Sequence, residues 1–370
     1  MPAEPGVGVV APGRGPSGPR SSASAGRSRT WRRAGVVVPF AVVLLVTVCL
    51  AALSVGRYPI PVVDVCRILV RGALGSPDVT ALDPAAHDIV LLVRLPRVLL
   101  GVLVGGGLAA SGVALQAVFR NPLVSPQIIG VSSGASFGGA LAILLGLGGA
   151  GLVGLAFAFG LVALAVVFGV TVTRDGAPML LVVLGGVVTG SLFSALVALV
   201  TYLADPYDQL PTIVFWLLGS LATATFTTVT VAVVPVVAGV AVLGLLRWRI
   251  NVLSLGDEDA SAVGVRPGPL RWTVLVAVTL VVAGAVAVSG VVSWVGLVIP
   301  HAVRMWVGPD HRLLLPVSCL VGSAFLVAVD TLARTTTAGE IPLGVLTALV
   351  GAPAFFVVLR RNRDRVWDRA

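Results

Sequence analysis

Residues 94–136 read RLPRVLLGVLVGGGLAASGVALQAVFRNPLVSPQIIGVSSGAS, and this stretch decides what kind of protein the chain forms. Two arginines, Arg94 and Arg97, flank a Leu-Pro pair. The apolar, glycine-rich run from 95 to 118 follows, long enough for a membrane helix, which needs about 20 apolar residues to cross about 30 Å of hydrocarbon. Arg120, Asn121, Pro122 and Pro126 then stop it, because Asn-Pro is a turn signal and the residue before each proline is turned away from helical angles. A Gly/Ser-rich segment returns the chain to the membrane, where Gly134, Gly138 and Gly139 leave room for a neighbouring helix to come close. The stretch contains no nucleophile, base or metal cluster. Helices of this kind move a cargo or hold a partner.

The whole chain of 370 residues is 57% hydrophobic and only 11% charged, with a mean hydropathy of +1.04. A soluble domain carries roughly 25% charged residues, so this chain has too little polar surface to face water and is an integral membrane protein. All 25 of its basic residues are arginine. A phosphate-binding P-loop needs a lysine, so if ATP drives this protein, another subunit hydrolyses it. The net charge of +9 is concentrated at the ends, with six Arg and one Glu in residues 1–35 and five Arg and two Asp in residues 360–370. Basic tails beside membrane spans place both termini in the cytoplasm and predict an even number of spans. The basic balance thus sets orientation, and nucleic-acid binding is a poor reading of it. Cys49, Cys66 and Cys319 match neither a metal spacing nor a disulfide framework.

In chain order, residues 1–34, rich in Gly, Pro, Ser and Arg, read as a disordered basic cytoplasmic tail. Residues 35–359 form the membrane domain, and 360–370 a second basic cytoplasmic tail. Hydropathy and turn signals predict about ten spans, near 35–55, 95–118, 131–148, 151–172, 178–203, 226–246, 271–291, 293–307, 313–333 and 343–359. Outside them, 60–70 reads as a short interfacial helix and 75–83 as a loop. Arg174-Asp175-Gly176 is a cytoplasmic turn, 205–208 an acidic outer loop, and 215–220 a surface segment with Trp216 at the membrane interface. The longest polar interruption between inner spans, 255–267, opens with Asp257, Glu258 and Asp259 at the start of a short helix, where the dipole favours acids. Gly264 stops that helix and Pro267 follows. Asn121, Pro122 and Pro300 read as structural turns.

The spans carry almost no charge at mid-depth, where one costs about 2.5–3.5 kcal/mol. An ion-coupled secondary transporter needs such groups, which counts against that alternative. Asp330 and Arg334, four apart near an outer helix end, read as a local ion pair. His301 reads as a helix-packing hydrogen bond and His311 as part of a solvated turn. No Ser-His-Asp or acid-pair constellation supports an enzyme, and no metal site is expected. Arg94 and Arg97 stand at an outer helix start, where the orientation rule and the dipole both disfavour them. With Arg334 at the same level they make an outward cluster able to give a carboxylate-bearing partner bidentate contacts.

Further motifs follow in order along the chain. They run from Arg94-Leu95-Pro96-Arg97, Gly112 with Gln116, and Asn121-Pro122-Leu123 to Val131-Ser132-Ser133-Gly134-Ala135 and Phe215-Trp216 with Gly219-Ser220. Leu255-Gly256-Asp257-Glu258 with Ala260 and Gly264 comes next, then Gly296-Leu297-Val298-Ile299-Pro300-His301 with Arg304, and Asp310-His311-Arg312. Asp330 with Arg334, Glu340-Ile341-Pro342-Leu343-Gly344 and Gly351-Ala352-Pro353 complete the set. In this order the motifs resemble the FecCD-type permease family of ABC importers for iron–siderophore, haem and vitamin B12, and the resemblance implies an all-α fold of about ten transmembrane helices, the type II importer permease fold. It also implies a second permease subunit, two cytoplasmic ATPases that carry ATP and Mg²⁺, an extracytoplasmic binding lipoprotein, and no cofactor on this chain. It puts binding-protein docking on Arg94, Arg97 and Arg334, and ATPase coupling on Leu255, Gly256, Asp257, Glu258, Ala260 and Gly264. The expected cargo is a ferric siderophore, with haem or vitamin B12 as alternatives. At Pro178-Met179-Leu180 the chain departs from the small hydroxyl residues of the vitamin B12 permease, so no gate residues are assigned. The basic N-terminal extension is longer than the family requires.

Overall fold

The computed structural model describes residues 22–74, 84–171, 179–337 and 339–367. They form α1 (Ser22–Ser54), α2 (Val62–Leu74), α3 (Pro84–Asp88), α4 (Leu95–Val118), α5 (Val131–Leu144), α6 (Ala150–Thr171) and α7 (Met179–Leu203). Then come α8 (Gln209–Leu217), α9 (Phe226–Leu253), α10 (Asp257–Ala262), α11 (Pro267–Ser289), α12 (Val295–Val307), α13 (His311–Thr335) and α14 (Leu343–Trp367). Among the described residues seven helical segments are long and apolar enough to cross a membrane, and three shorter apolar ones join them: Val131–Leu144, Val295–Val307 and Leu343–Val357. Seven and three make the ten spans that hydropathy predicts. The loop expected at 75–83 and the turn at Arg174-Asp175-Gly176 lie outside the described residues.

The bundle is organised around α4. Every residue from Val104 to Val118 is buried, and the helix packs on α9, α11, α12 and α13. Lipid tails are as apolar as leucine, so helices associate in a membrane through close packing more than through the hydrophobic effect. Glycine supplies that closeness at two crossings. A Cβ on Gly105 would lie 2.4 Å from the Gly322 carbonyl oxygen of α13, and one on Gly112 would lie 1.9 Å from the Gly296 carbonyl oxygen of α12.

Pro300, expected as a turn, is instead inside α12. Its missing N–H leaves the Gly296 carbonyl, four residues back, without a helical donor. That same oxygen faces Gly112 across the crossing, where a Cα–H contact fits it. The Asn121-Pro122 turn is as expected. α4 ends in a Schellman motif, with Asn121 N–H donating to Gln116 O at 3.1 Å and Arg120 N–H to Ala117 O at 3.2 Å. Arg120 takes the left-handed position at φ 49°, and Leu123 N–H donates to Asn121 Oδ1 at 2.9 Å.

Two of the short helices begin inside the bundle. α12, at 13 residues, covers only about 20 Å of the roughly 30 Å core. Gln127, in the single 3₁₀ turn ahead of α5, donates to Ser293 Oγ at 2.9 Å just before α12. This side-chain bond ties the two irregular approaches to each other.

Four local features depart from expectation. α1 begins at Ser22 and α14 runs to Trp367, so the described parts of both basic tails are helical continuations of the spans, since adding residues to an existing helix costs little. The second span does not start at Arg94, because helix runs back through a π turn at Ile89–Arg94 to Pro84. There Leu95 N–H bonds to Val90 O, five residues back, a register that accommodates Pro96. Trp216, expected on a surface segment, is half-buried in the bundle, because its ring fills the place where Gly139 lacks a Cβ. His311 is buried at 4% exposure instead of lying in a solvated turn.

Gly112→Val forces α4 and α12 apart at a backbone contact, and overpacking of this kind costs up to about 3 kcal/mol. We expect a clear drop in the SDS concentration at the unfolding midpoint of the purified protein. Gly169→Ala, where nothing lies within 4 Å of the added methyl, leaves the midpoint in place.

Candidate functional site

The expected arginine cluster exists, but most of its donors are used inside the chain. α1 ends without a basic residue in its last turn, and the last carbonyls of a helix have no partner within it. Arg94 supplies one, donating through Nη1 to Leu53 O at 2.6 Å and Ser54 O at 3.1 Å, and through Nη2 to Tyr58 O at 2.5 Å. Arg334 supplies another, with Nη2 donating to Ala52 O. Both guanidiniums converge on Gly56, where a Cβ would sit 2.5 Å from Arg94 Nη2 and 3.2 Å from Arg334 Nη1. Arg94 is 4% exposed, so it is a cap on α1 rather than an outward group.

Arg97, 8% exposed, is the centre of a buried ionic clamp. Its Nε and Nη2 take Asp330 side-on at 2.8 Å to Oδ2 and 2.8 Å to Oδ1. Its Nη1 and Nη2 take Glu340 end-on at 2.8 Å each. Asp330 therefore pairs across helices with Arg97, and the local pair with Arg334 is replaced by this contact, because a bidentate fork satisfies a buried carboxylate better than a side chain on its own helix. The Arg97 guanidinium holds the Glu340 carboxyl below its ordinary range, against the opposing push of partial burial, and Arg334 and Arg57 add to the lowering. Arg57 is the residue that sequence reasoning left out. It is exposed, donates to Thr337 O at 3.3 Å, and completes the cluster. Among the described residues the cluster thus brings Arg57, Arg94, Arg97 and Arg334 together with Asp330 and Glu340.

The opposite end of the bundle carries α10. Ala260 and Val265 are buried and anchor it, while Leu255, Glu258, Asp259 and Val263 are exposed. A second Schellman motif closes the helix at Gly264 (φ 79°), with Val265 N–H donating to Ala260 O at 2.9 Å. Gly264 thus stops the helix as the sequence indicates. Asp257 pairs with Arg271 of α11. Arg120 Nη1 and Asp259 Oδ2 lie 3.7 and 3.8 Å from the Cβ position of Gly256, so the turn after α4 reaches the start of α10. Nearby, Asn251 Oδ1 accepts from His311 N–H at 3.0 Å and from its Nδ1 at 3.1 Å, which puts the ring proton on Nδ1. Arg304 donates to Gln116 Oε1 at 2.9 Å. His301 has no hydrogen-bond partner on either ring nitrogen and packs instead on Phe355. Among the described residues no group of His, Cys, Asp and Glu could hold a metal.

A cationic clamp at one end, an acidic-apolar helix at the other and a ten-helix bundle between them suit a membrane component worked on by partners from both sides. The model of the FecCD transport family matches residues 43–361. The chain belongs to that family. It is 44% identical to the molybdate import system permease protein MolB of Haemophilus influenzae over 85% of this chain and 93% of that protein. It is 41% identical to the cobalamin permease BtuC of Halobacterium salinarum, covering 79% and 78% of the two chains. With the ferric enterobactin permease FepD of Escherichia coli it shares 35%, over 88% and 96%. An ABC transporter of metal-chelate type, solved in an inward-facing conformation, superposes with a TM-score of 0.79 at 42% identity, covering 88% of this chain and 99% of that one. The chain is therefore a multi-pass permease subunit of an ABC importer, a transport subunit rather than an enzyme, and its family assembles with other permease subunits and ATPases.

Removing one partner of a buried ion pair strands the other charge, at a cost of about 3–5 kcal/mol. Arg97→Met should lower the SDS-unfolding midpoint strongly, and adding Asp330→Leu should recover a large part of the loss. Glu340 predicts a pH effect. Because its folded pKa is depressed, its contribution is complete above the ordinary carboxylate range and is lost as pH falls through that range to the lower folded value. Melting curves between pH 7 and 3 should therefore show a stability loss in the acid limb that Glu340→Gln reduces.

Proposed function

We propose that this permease carries a ferric siderophore across the cytoplasmic membrane, with both termini in the cytoplasm. An extracytoplasmic binding protein docks on the outer arginines, and ATP with Mg²⁺ is consumed on the partner ATPases while this chain binds no cofactor. A second permease, identical or related, completes the pathway. The observation that carries this reading is the contrast between the two ends of one bundle. The exposed Arg57 and the half-buried Arg334 at one end suit a protein bearing carboxylates, and the exposed Leu255 and Val263 beside Glu258 and Asp259 at the other suit an ATPase groove. Of the three arginines named for docking, Arg334 remains accessible at the half-buried level and Arg57 joins it, while Arg94 and Arg97 lie beneath them. The cargo reading draws support from relatives named for iron chelatin and ferric enterobactin. Molybdate is the second reading, favoured by the 44% identity to MolB.

The test is uptake into proteoliposomes holding the complete transporter and its binding protein. Radiolabelled ferric desferrioxamine should accumulate only with ATP, and molybdate, haem and cyanocobalamin should not. Molybdate uptake instead would replace the cargo reading. Accumulation driven by an ion gradient without any ATPase would overturn the importer mechanism. Changing Arg57 and Arg334 together to Glu should weaken binding-protein docking at least about tenfold, or 1.4 kcal/mol.

A further inference from the structure

The Arg97 guanidinium has two edges, and their occupants differ in kind. Asp330 holds the inner edge from within α13, its side chain 6% exposed. Glu340 holds the outer edge from the connection between α13 and α14, its side chain 28% exposed. That connection is pinned on both sides of the glutamate. Thr336 N–H donates to Leu332 O at 3.1 Å and Ile341 N–H to Ala333 O at 3.2 Å, while Leu343 N–H reaches Gly219 O at 2.8 Å and Gly344 N–H reaches Leu218 O at 2.9 Å. Glu340 can therefore leave the fork without unravelling the start of α14.

We propose that Glu340 occupies, within the free permease, the place that a carboxylate of the docking protein takes in the complex. The inference rests on the docking reading given above and specifies how that surface is regulated. A carboxylate arriving from outside meets Arg57 and Arg334 first and then replaces Glu340 on the Nη1/Nη2 edge of Arg97. The exchange is like for like, with two charge-assisted hydrogen bonds broken and two formed. Asp330 stays in place, so the guanidinium is never left uncompensated in the interior. The cost of the exchange is the self-pairing of Glu340, and an affinity measured against an occupied site is reduced by the fraction of time the site is free. The strap thus keeps docking reversible, which a delivery protein that must leave after each cycle requires.

Binding of the cargo-free binding protein of the same transport system to the complete transporter in nanodiscs tests this. Glu340→Gln, which removes the competing charge, should tighten binding by about tenfold. Glu340→Asp, shorter and a poorer fit to the fork, should tighten it less. Asp208→Asn removes a carboxylate from another connection expected on the outer face and controls for long-range attraction. Equal tightening by Asp208→Asn and Glu340→Gln would overturn the proposal, as would unchanged or weaker binding by Glu340→Gln and Glu340→Asp with melting points near that of the parent. If Glu340→Gln does not assemble, Glu340→Asp decides alone, and unchanged or weaker binding by it overturns the proposal. Arg334→Glu separates the two levels. If it leaves binding intact, the docking reading itself falls. If it weakens binding while the Glu340 variants do not tighten it, only the self-competition falls.

Discussion

A helix enclosed on all sides by other helices in a membrane is held by the nearness of its neighbours, because hiding it from lipid yields little. α4 meets that constraint with backbone against backbone at Gly105–Gly322 and Gly112–Gly296. The rest of the bundle is arranged by those two contacts. They fix α13 and α12 against the same central helix, and they place Arg97 at the outer end of α4 within reach of Asp330 on α13. They also bring the Arg120 turn at its inner end to the start of α10. Packing in the middle thus decides which polar groups meet at the ends.

At the outer end the polar groups solve a second problem, the orphan carbonyls of α1. A helix C-terminus attracts cations, and α1 has none of its own. Arg94, one residue before α4, and Arg334, on α13, supply them. Capping of α1 by itself therefore accounts for the arginines at this end. Helix carbonyls hold Arg94 and Arg334, two carboxylates hold Arg97, and the cluster reaches the surface at Arg57 and Arg334. A structural demand and an interaction surface are met by the same residues.

Much of this was legible in the sequence where the signal is local. Ten apolar runs, the Asn121-Pro122 stop and the Gly264 stop depend on neighbours a few residues apart, and they stand as read. What was not legible depends on distance along the chain. Nothing in Arg97 announces a partner 233 residues away at Asp330, or another 243 residues away at Glu340. The i,i+4 spacing of Asp330 and Arg334 instead suggested a pair that tertiary contacts replaced. Pro300 shows the same limit. Proline signals a break, yet here the carbonyl it strands meets Gly112 of another helix, so the helix continues. His311 looked solvated because Pro309, Asp310 and Arg312 surround it, but the partner that buries it is Asn251, 60 residues away.

The two ends are joined by rigid elements with named contacts. Asn251, on the last turns of α9 just before α10, is bonded to both the backbone and the ring of His311 at the start of α13. α13 then runs 25 residues, about 37 Å at 1.5 Å each, to Asp330 and Arg334 beneath the outer surface. Asp257 of α10 is in turn tied to Arg271 of α11. A displacement of α10 is therefore passed to α11 through Asp257–Arg271 and to α9 along the chain, and from α9 to α13 through Asn251, while α13 cannot shift along α4 without sliding Gly322 past Gly105. Ser323 Oγ of α13 also donates to Val102 O of α4 at 2.7 Å, and Asp330 of α13 is clamped by Arg97 of α4. Close packing in the middle and polar bonds towards one end therefore hold the two helices in a single register, so that α13 moves with α4 rather than along it.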